Sequence, residues 1–187
     1  MTKIYEDVSA PAGEQEICVG CGLCCDATLF MYASLRPDER GRLPEKIDKA
    51  RFTEGGKDYF HLPCPYFSGK CTIYDRQRAV ICSTYRCRLL RDFAEGKISG
   101  KSAMKTVREA IAMRDSIIEE YRRLAGSASG VGFRHMLTEL AKLMKSSDAG
   151  GSPGEDYVVL LVRCNILEAL LIKVFMADEE FEKLVMK

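Results

Sequence analysis

"CVGCGLCC" (residues 18–25) places four cysteines within eight positions, and what those sulfurs hold decides how the chain folds. Four more follow at Cys64, Cys71, Cys82 and Cys87, so eight of the nine cysteines lie in the first 87 residues while Cys164 stands apart. Three explanations compete. Disulfides suit an oxidising compartment and a chain too small to build a core, and the 187 residues here are enough for a real core. Unconnected buried thiols are common core residues, but they have no reason to cluster. Ligation of a metal by thiolates accounts for both the number and the spacing. A cysteine three positions before another lets one turn present both sulfurs to one ion, and Gly20 and Gly22 leave room for backbone N–H groups to approach sulfur.

The metal itself stays open between zinc and an iron–sulfur cluster. Zinc sites are built from separated cysteine pairs, and Cys18 with Cys21 makes one such pair. The unbroken C-x2-C-x2-C run instead resembles the three-point grip of ferredoxin loops, and Cys64 followed by Pro65 parallels their remote cysteine-proline. Zinc would imply a scaffold, whereas an iron–sulfur centre would permit electron transfer or sensing. The doubled Cys24–Cys25 adds a constraint. Consecutive side chains of an extended segment point in opposite directions, so the two sulfurs should serve different centres. Cys18, Cys21 and Cys24 are then expected to share one centre with Cys64, and Cys25 to join Cys71, Cys82 and Cys87 in another.

Outward from the cysteines, composition describes an ordinary globular chain, 47% hydrophobic and 29% charged. With 28 basic and 27 acidic residues there is no global pull toward nucleic acid or an anionic surface. Residues 1–17, "MTKIYEDVSAPAGEQEI", lack the basic start and apolar stretch of a secretory signal, so a cytoplasmic location is expected. Residues 157–176, "YVVLLVRCNILEALLIKVFM", invite confusion with a membrane span. Their twelve Val, Leu, Ile and Phe residues gain roughly 4–7 kcal/mol on insertion, while Arg163, Glu168 and Lys173 together cost about as much or more. A buried helix is the better expectation, with Asp156 capping its start and Asp178 beginning a further turn.

The chain divides into two halves. Turn formers (Gly20, Gly22, Gly41, Gly55, Gly56, Pro63, Pro65 and Gly69) crowd the first, which predicts a loop-rich eight-cysteine, metal-stabilised domain over residues 1–95 with a few short strands or helical turns. The second, residues 96–187, predicts a helical bundle packing on it. In "SAMKTVREAIAMRDSIIEEYRRLAG" (102–126), Met104, Val107, Ile111, Ile118 and Tyr121 recur at helical spacing and Gly126 sits where a helix should stop. A second pattern runs through Phe133, Leu137, Leu140 and Met144, and a polar, glycine-rich stretch (146–156) separates it from the apolar helix. The fold class expected is therefore mainly α. No internal repeat or low-complexity tract is present.

"CVGCGLCCDATLF" (18–30) followed by "LPCPYFSGKCTIYDRQRAVICSTYRCRLL" (62–90) resembles the YkgJ-type cysteine-cluster family, whose domain is described as zinc- or iron-chelating. The likeness covers under half of the chain. It implies that Cys18, Cys21, Cys24, Cys25, Cys64, Cys71, Cys82 and Cys87 are all metal ligands, and it aligns Ile73 and Tyr74 with the family's Ile-Tyr pair. Two departures stand out. The family's Arg-Pro pair is replaced by Arg78-Ala79, and the stretch from Tyr74 to Cys82 is one residue longer, so the turn before Cys82 should differ. The family has no settled activity, and the resemblance implies a site without a reaction.

Other chemistry-bearing residues are sparse. His61, three positions before Cys64, is a candidate ninth ligand, although eight cysteines leave little need for one. His135 falls in a helical pattern and Cys164 in the apolar helix, where a surface histidine and a packed thiol are expected. Between residues 70 and 91, Lys70, Arg76, Arg78, Arg86, Arg88 and Arg91 face one acid, Asp75. These cations would offset the negative charge of a thiolate–metal site. With few interleaved aromatics, they make nucleic acid a disfavoured partner. There is no phosphate-binding glycine motif and no HExxH, so catalysis would have to come from a metal centre with an open position. The function expected is metal binding in a stabilising, redox or sensing role, with metal ions or a cluster as partner and no membrane. The alternative is a metal- or iron–sulfur-dependent enzyme acting on a protein or small molecule.

Overall fold

In a computed structural model of the chain, residues 12–126, 132–147 and 154–176 are described. Among them are seven α-helices and one three-stranded sheet, so the fold is mainly α as the sequence predicts. The long helices lie in the second half. α5 (Gly100–Ala125) starts where Ser99 accepts a hydrogen bond on its Oγ from the Ser102 N–H at 3.1 Å, the N-cap that an exposed serine is suited to make. It ends at Gly126, whose φ of 62° is the left-handed stop that glycine adopts without strain. α6 (Phe133–Ser147) buries Phe133, Met136 and Leu140. α7 (Glu155–Phe175) buries Leu160, Cys164, Leu167, Leu171 and Phe175 completely, at spacings of three and four. Each such Leu or Phe contributes about 1.5–3 kcal/mol by leaving water.

Two expectations about α7 change. Its N-cap is Gly154, which makes no side-chain cap, and Asp156 lies inside the first turn, where its charge favours the helix dipole. The helix is also buried on one side only: Val158, Val159, Val162 and Ile166 remain 44–59% exposed. Asp178, expected to begin a further turn, lies outside the described residues. Among the described residues no helix is long and apolar enough to cross a membrane.

The first half carries shorter elements. α1 (Ala12–Cys21) and α4 (Arg88–Ala94) pack on α5, and their Ile17, Leu89 and Leu90 join the long helices in one large core. A second, smaller core lies under the sheet. β1 (Tyr32–Leu35), β2 (Arg51–Glu54) and β3 (Lys57–His61) run antiparallel in the order β1-β3-β2. The β2–β3 turn is made by Gly55 and Gly56, at φ of 57° and 76°, the paired positive angles a two-residue hairpin requires. Toward the core β3 turns Phe60 and, unusually, Asp58. Its carboxylate is held by Arg40 at 2.5 and 2.8 Å and by the Thr53 hydroxyl at 2.7 Å. Leu35, Leu43, Ile47, Ile73 and Ala79 complete this core with Phe60, and α2 (Glu45–Lys49) supplies Ile47. On the opposite face of the sheet Phe52 stacks with Tyr59 and His61, and Tyr32 meets Phe52 and Tyr59 edge-on.

Candidate metal centre

The eight clustered cysteines reach the structure from four directions. α1 places Cys18 and Cys21 in its last turn, and the chain then curls again without extending. Gly22 takes a φ of 66°, and the N–H groups of Cys25 and Asp26 donate to its carbonyl at 2.8 and 3.0 Å. Cys24 and Cys25 therefore sit on a turn and not on the extended segment expected, yet successive side chains of such a turn still diverge by about 100°. Asp26 fixes the end of the turn by accepting from the Thr28 N–H at 2.8 Å and pairing with Arg114 of α5. The loop from Leu62 arrives with Cys64, whose N–H donates to the Cys25 carbonyl at 2.7 Å. A tight bridge between Phe67 and Cys71 turns that loop, α3 (Val80–Thr84) carries Cys82, and Cys87 is the N-cap of α4.

These placements divide the sulfurs between the two cores. Cys21, Cys24 and Cys87 belong with the large helical core, and Cys64, Cys71 and Cys82 with the small one. The electrostatic influence of the thiols on one another follows this division in part, with Cys25 also acting on Cys24 and Cys71 on Cys18. Burial pushes the Cys21 thiol up to about 12, and the nearby Cys87 and Cys18 push in the same direction. Burial also raises Cys24, with Cys21 and Cys87 the first of its sulfur neighbours, and lifts Cys87 to about 11. On the other side, burial raises Cys25, and Cys82, Cys64, Cys18 and Cys71 add to it. Cys82 is pushed up to about 12 by burial and by Cys64, while Arg78 acts against this. Cys18 borders both sets. It is raised by burial and lowered by Arg78. Cys64, expected with Cys18, Cys21 and Cys24, is joined to Cys25 by its backbone N–H and packs with Cys71 and Cys82 on the smaller core, while Cys87 packs with Cys18, Cys21 and Cys24 on the larger one.

Charged neighbours surround the seam. Glu14, 3% exposed, pairs with Arg86 beside Cys18. Arg78 lies over the Tyr74 ring, 4.0 Å from its centroid. Together with Cys18 and Cys82 these residues line a crevice of about 20 Å³, room for roughly one water. Arg88 donates to the Lys173 carbonyl at 3.1 Å. The cations expected to offset thiolates thus act unequally: Arg78 does so directly, whereas Arg86 is engaged by a buried acid. The sequence reading passed over Glu14 and Asp26, whose only signal was an acid beside the first and last cysteines of the opening motif. His61 is exposed and stacks on Phe52, with ring centroids 4.2 Å apart, and His135 is exposed on α6. Cys164 is fully buried, its thiol raised by burial to about 11, as a packed core thiol should be. A separate hollow of about 340 Å³ beside Ser34, Pro37, Arg40 and Lys57 holds no sulfur.

All nine cysteines are free thiols. Among the described residues no three Cys, His, Asp or Glu side chains stand close enough to hold a metal ion as placed. The chemistry of the donor set nevertheless suits a thiophilic cation. Burial, and then the neighbouring sulfurs, favour the neutral thiols over thiolates, and a thiophilic cation bound there would take the place of their protons. No protein-family model matches the chain, and no curated protein or solved structure matches it either.

Proposed function

We propose that the chain is a metal-binding protein whose eight clustered cysteines hold zinc or an iron–sulfur centre in a stabilising, redox or sensing role. One observation carries this reading: sulfurs from α1 and its following turn, the 62–71 loop, α3 and the start of α4 gather along the seam between two cores, where no requirement of apolar packing calls for eight thiols. The motif likeness to the YkgJ-type family points the same way. Cys21, Cys24 and Cys87 with Cys18 would form one ligand set, and Cys25, Cys64, Cys71 and Cys82 the other. Bound zinc would supply a redox-inert tie, and an iron–sulfur centre would add an electron site. Retention of so many reduced thiols suits the cytoplasm.

The test is metal and sulfide analysis of protein purified without oxygen, together with its visible spectrum. Iron with sulfide and broad visible absorption identifies a cluster, and colourless protein with stoichiometric zinc identifies a scaffold. Protein that takes up neither overturns the proposal. Cys21→Ser and Cys25→Ser should each remove a different part of the bound metal. If both abolish one and the same signal, the division into two sets fails while metal binding stands.

A further inference from the structure

The side of α7 turned away from its core carries an ordered pattern that metal binding does not use. Val159, Val162 and Ile166 are 59%, 52% and 54% exposed. With the exposed Glu155, Ala169 and Lys173 they recur at intervals of four, three, four, three and four residues, the spacing of a coiled-coil seam. At about 100° per residue the six positions fall within an arc of about 80°. The seam is apolar in the middle, acidic at its start and basic at its end.

We propose that two copies of this chain associate through antiparallel α7 helices. The six positions are symmetric about residue 164, so a two-fold axis there sets Val162 against the partner's Ile166, Val159 against the partner's Ala169, and Glu155 against the partner's Lys173, each contact occurring twice. The opposite orientation would oppose Glu155 to its own copy and Lys173 to its own copy, which like-charge repulsion disfavours. Charge therefore selects the antiparallel pairing, and the two-fold closes the assembly at two. From Glu155 to Lys173 the seam is about 27 Å long at 1.5 Å per residue. That is a small interface, and its dissociation constant is expected on the order of micromolar. The pairing is independent of which metal, if any, the cysteines hold.

Sedimentation equilibrium of the whole chain, from about micromolar to hundreds of micromolar, reads the result directly. A mass rising from monomer to dimer is expected. Val162→Lys should leave a monomer of unchanged helix content, since this side chain points away from the core. Glu155→Lys should weaken the dimer roughly five- to tenfold by opposing lysines at both ends, and adding Lys173→Glu to it should restore the original affinity. A monomer at every concentration overturns the proposal, including one that adsorbs to lipid vesicles through this face. So does a dimer that survives Val162→Lys, or one that the charge exchange fails to restore.

Discussion

Two glycines near the opening cysteines look alike in sequence and do different work. Gly20 lies inside α1, where an added Cβ would come 2.9 Å from the terminal methyl of Met104, the far end of a flexible thioether. Gly22 follows the helix at a φ of 66°, and its Cβ would stand 2.5 and 2.7 Å from two ring atoms of Phe67. Gly20→Ala should therefore change stability by less than about 0.5 kcal/mol, because the helix gains what the methyl contact costs. Gly22→Ala should cost about 2 kcal/mol, combining left-handed strain with displacement of Phe67, and should lower metal retention by moving the turn that carries Cys24 and Cys25. Denaturant midpoints and metal content of the two variants check this. Equal effects would mean that the turn tolerates a side chain. Both glycines were first expected to leave room for N–H groups beside sulfur; the Gly20 backbone lies within a helix, the Gly22 N–H donates to the Cys18 carbonyl, and the N–H that reaches the Cys21 sulfur is that of Leu23.

The sheet depends on an acid turned inward. Hydrogen bonds from Arg40 and the Thr53 hydroxyl hold the Asp58 carboxyl down to about 2, below the ordinary carboxylate value. A carboxylate held low stabilises the fold at every pH above its unfolded value near about 4, and the contribution is lost as pH falls toward 2. Asp58→Asn removes that dependence. Between about pH 4 and 2 the stability of the unaltered chain should fall toward that of the variant, a convergence read from denaturant midpoints at each pH. The comparison isolates Asp58 because acid would act alike in both chains on any metal held by the cysteines. Parallel curves would refute the assignment. The same residue explains why β3 was hard to see in sequence: strand patterning looks for apolar inward positions, and here one of the two is Asp58, legible only once Arg40 is known to face it. The long helices had no such obstacle. Residues 102–126 announce α5 and its Gly126 stop, although in α6 the pattern overlooked the fully buried Met136. In α7 a composition apolar on all sides concealed that one face is open.

At the scale of the whole molecule, the cysteine seam joins a large core to a small one. The clustering of the cysteines was plain in the sequence, but which core each one packs on was not, because the placement of Cys87 beside the large core depends on how α4 packs on α1 and α5. The consequence concerns folding. α1 and α4–α7 share a continuous apolar core that includes Ile17, Leu90, Val107, Leu167 and Leu171. The sheet region relies on Leu35, Leu43, Ile47, Phe60, Ile73 and Ala79 to order about fifty residues, and so small a core does not outweigh the conformational entropy of that much chain. Thiolate–metal bonds in small domains contribute roughly 10–16 kcal/mol, enough to change that balance. On the proposed function, a chelator under reducing conditions should therefore loosen residues 33–82 selectively, while α1 and α5–α7 keep most of their protection. Hydrogen exchange resolved by peptide, before and after chelation, measures this directly. The expected result is fast exchange in β1–β3 and the 62–82 loop and little change in α5. Undiminished protection of the sheet in metal-free protein would show that Phe60 and its neighbours suffice alone. Uniform loosening through α5 would instead show that the two cores fold as one unit and that the seam holds the entire chain together.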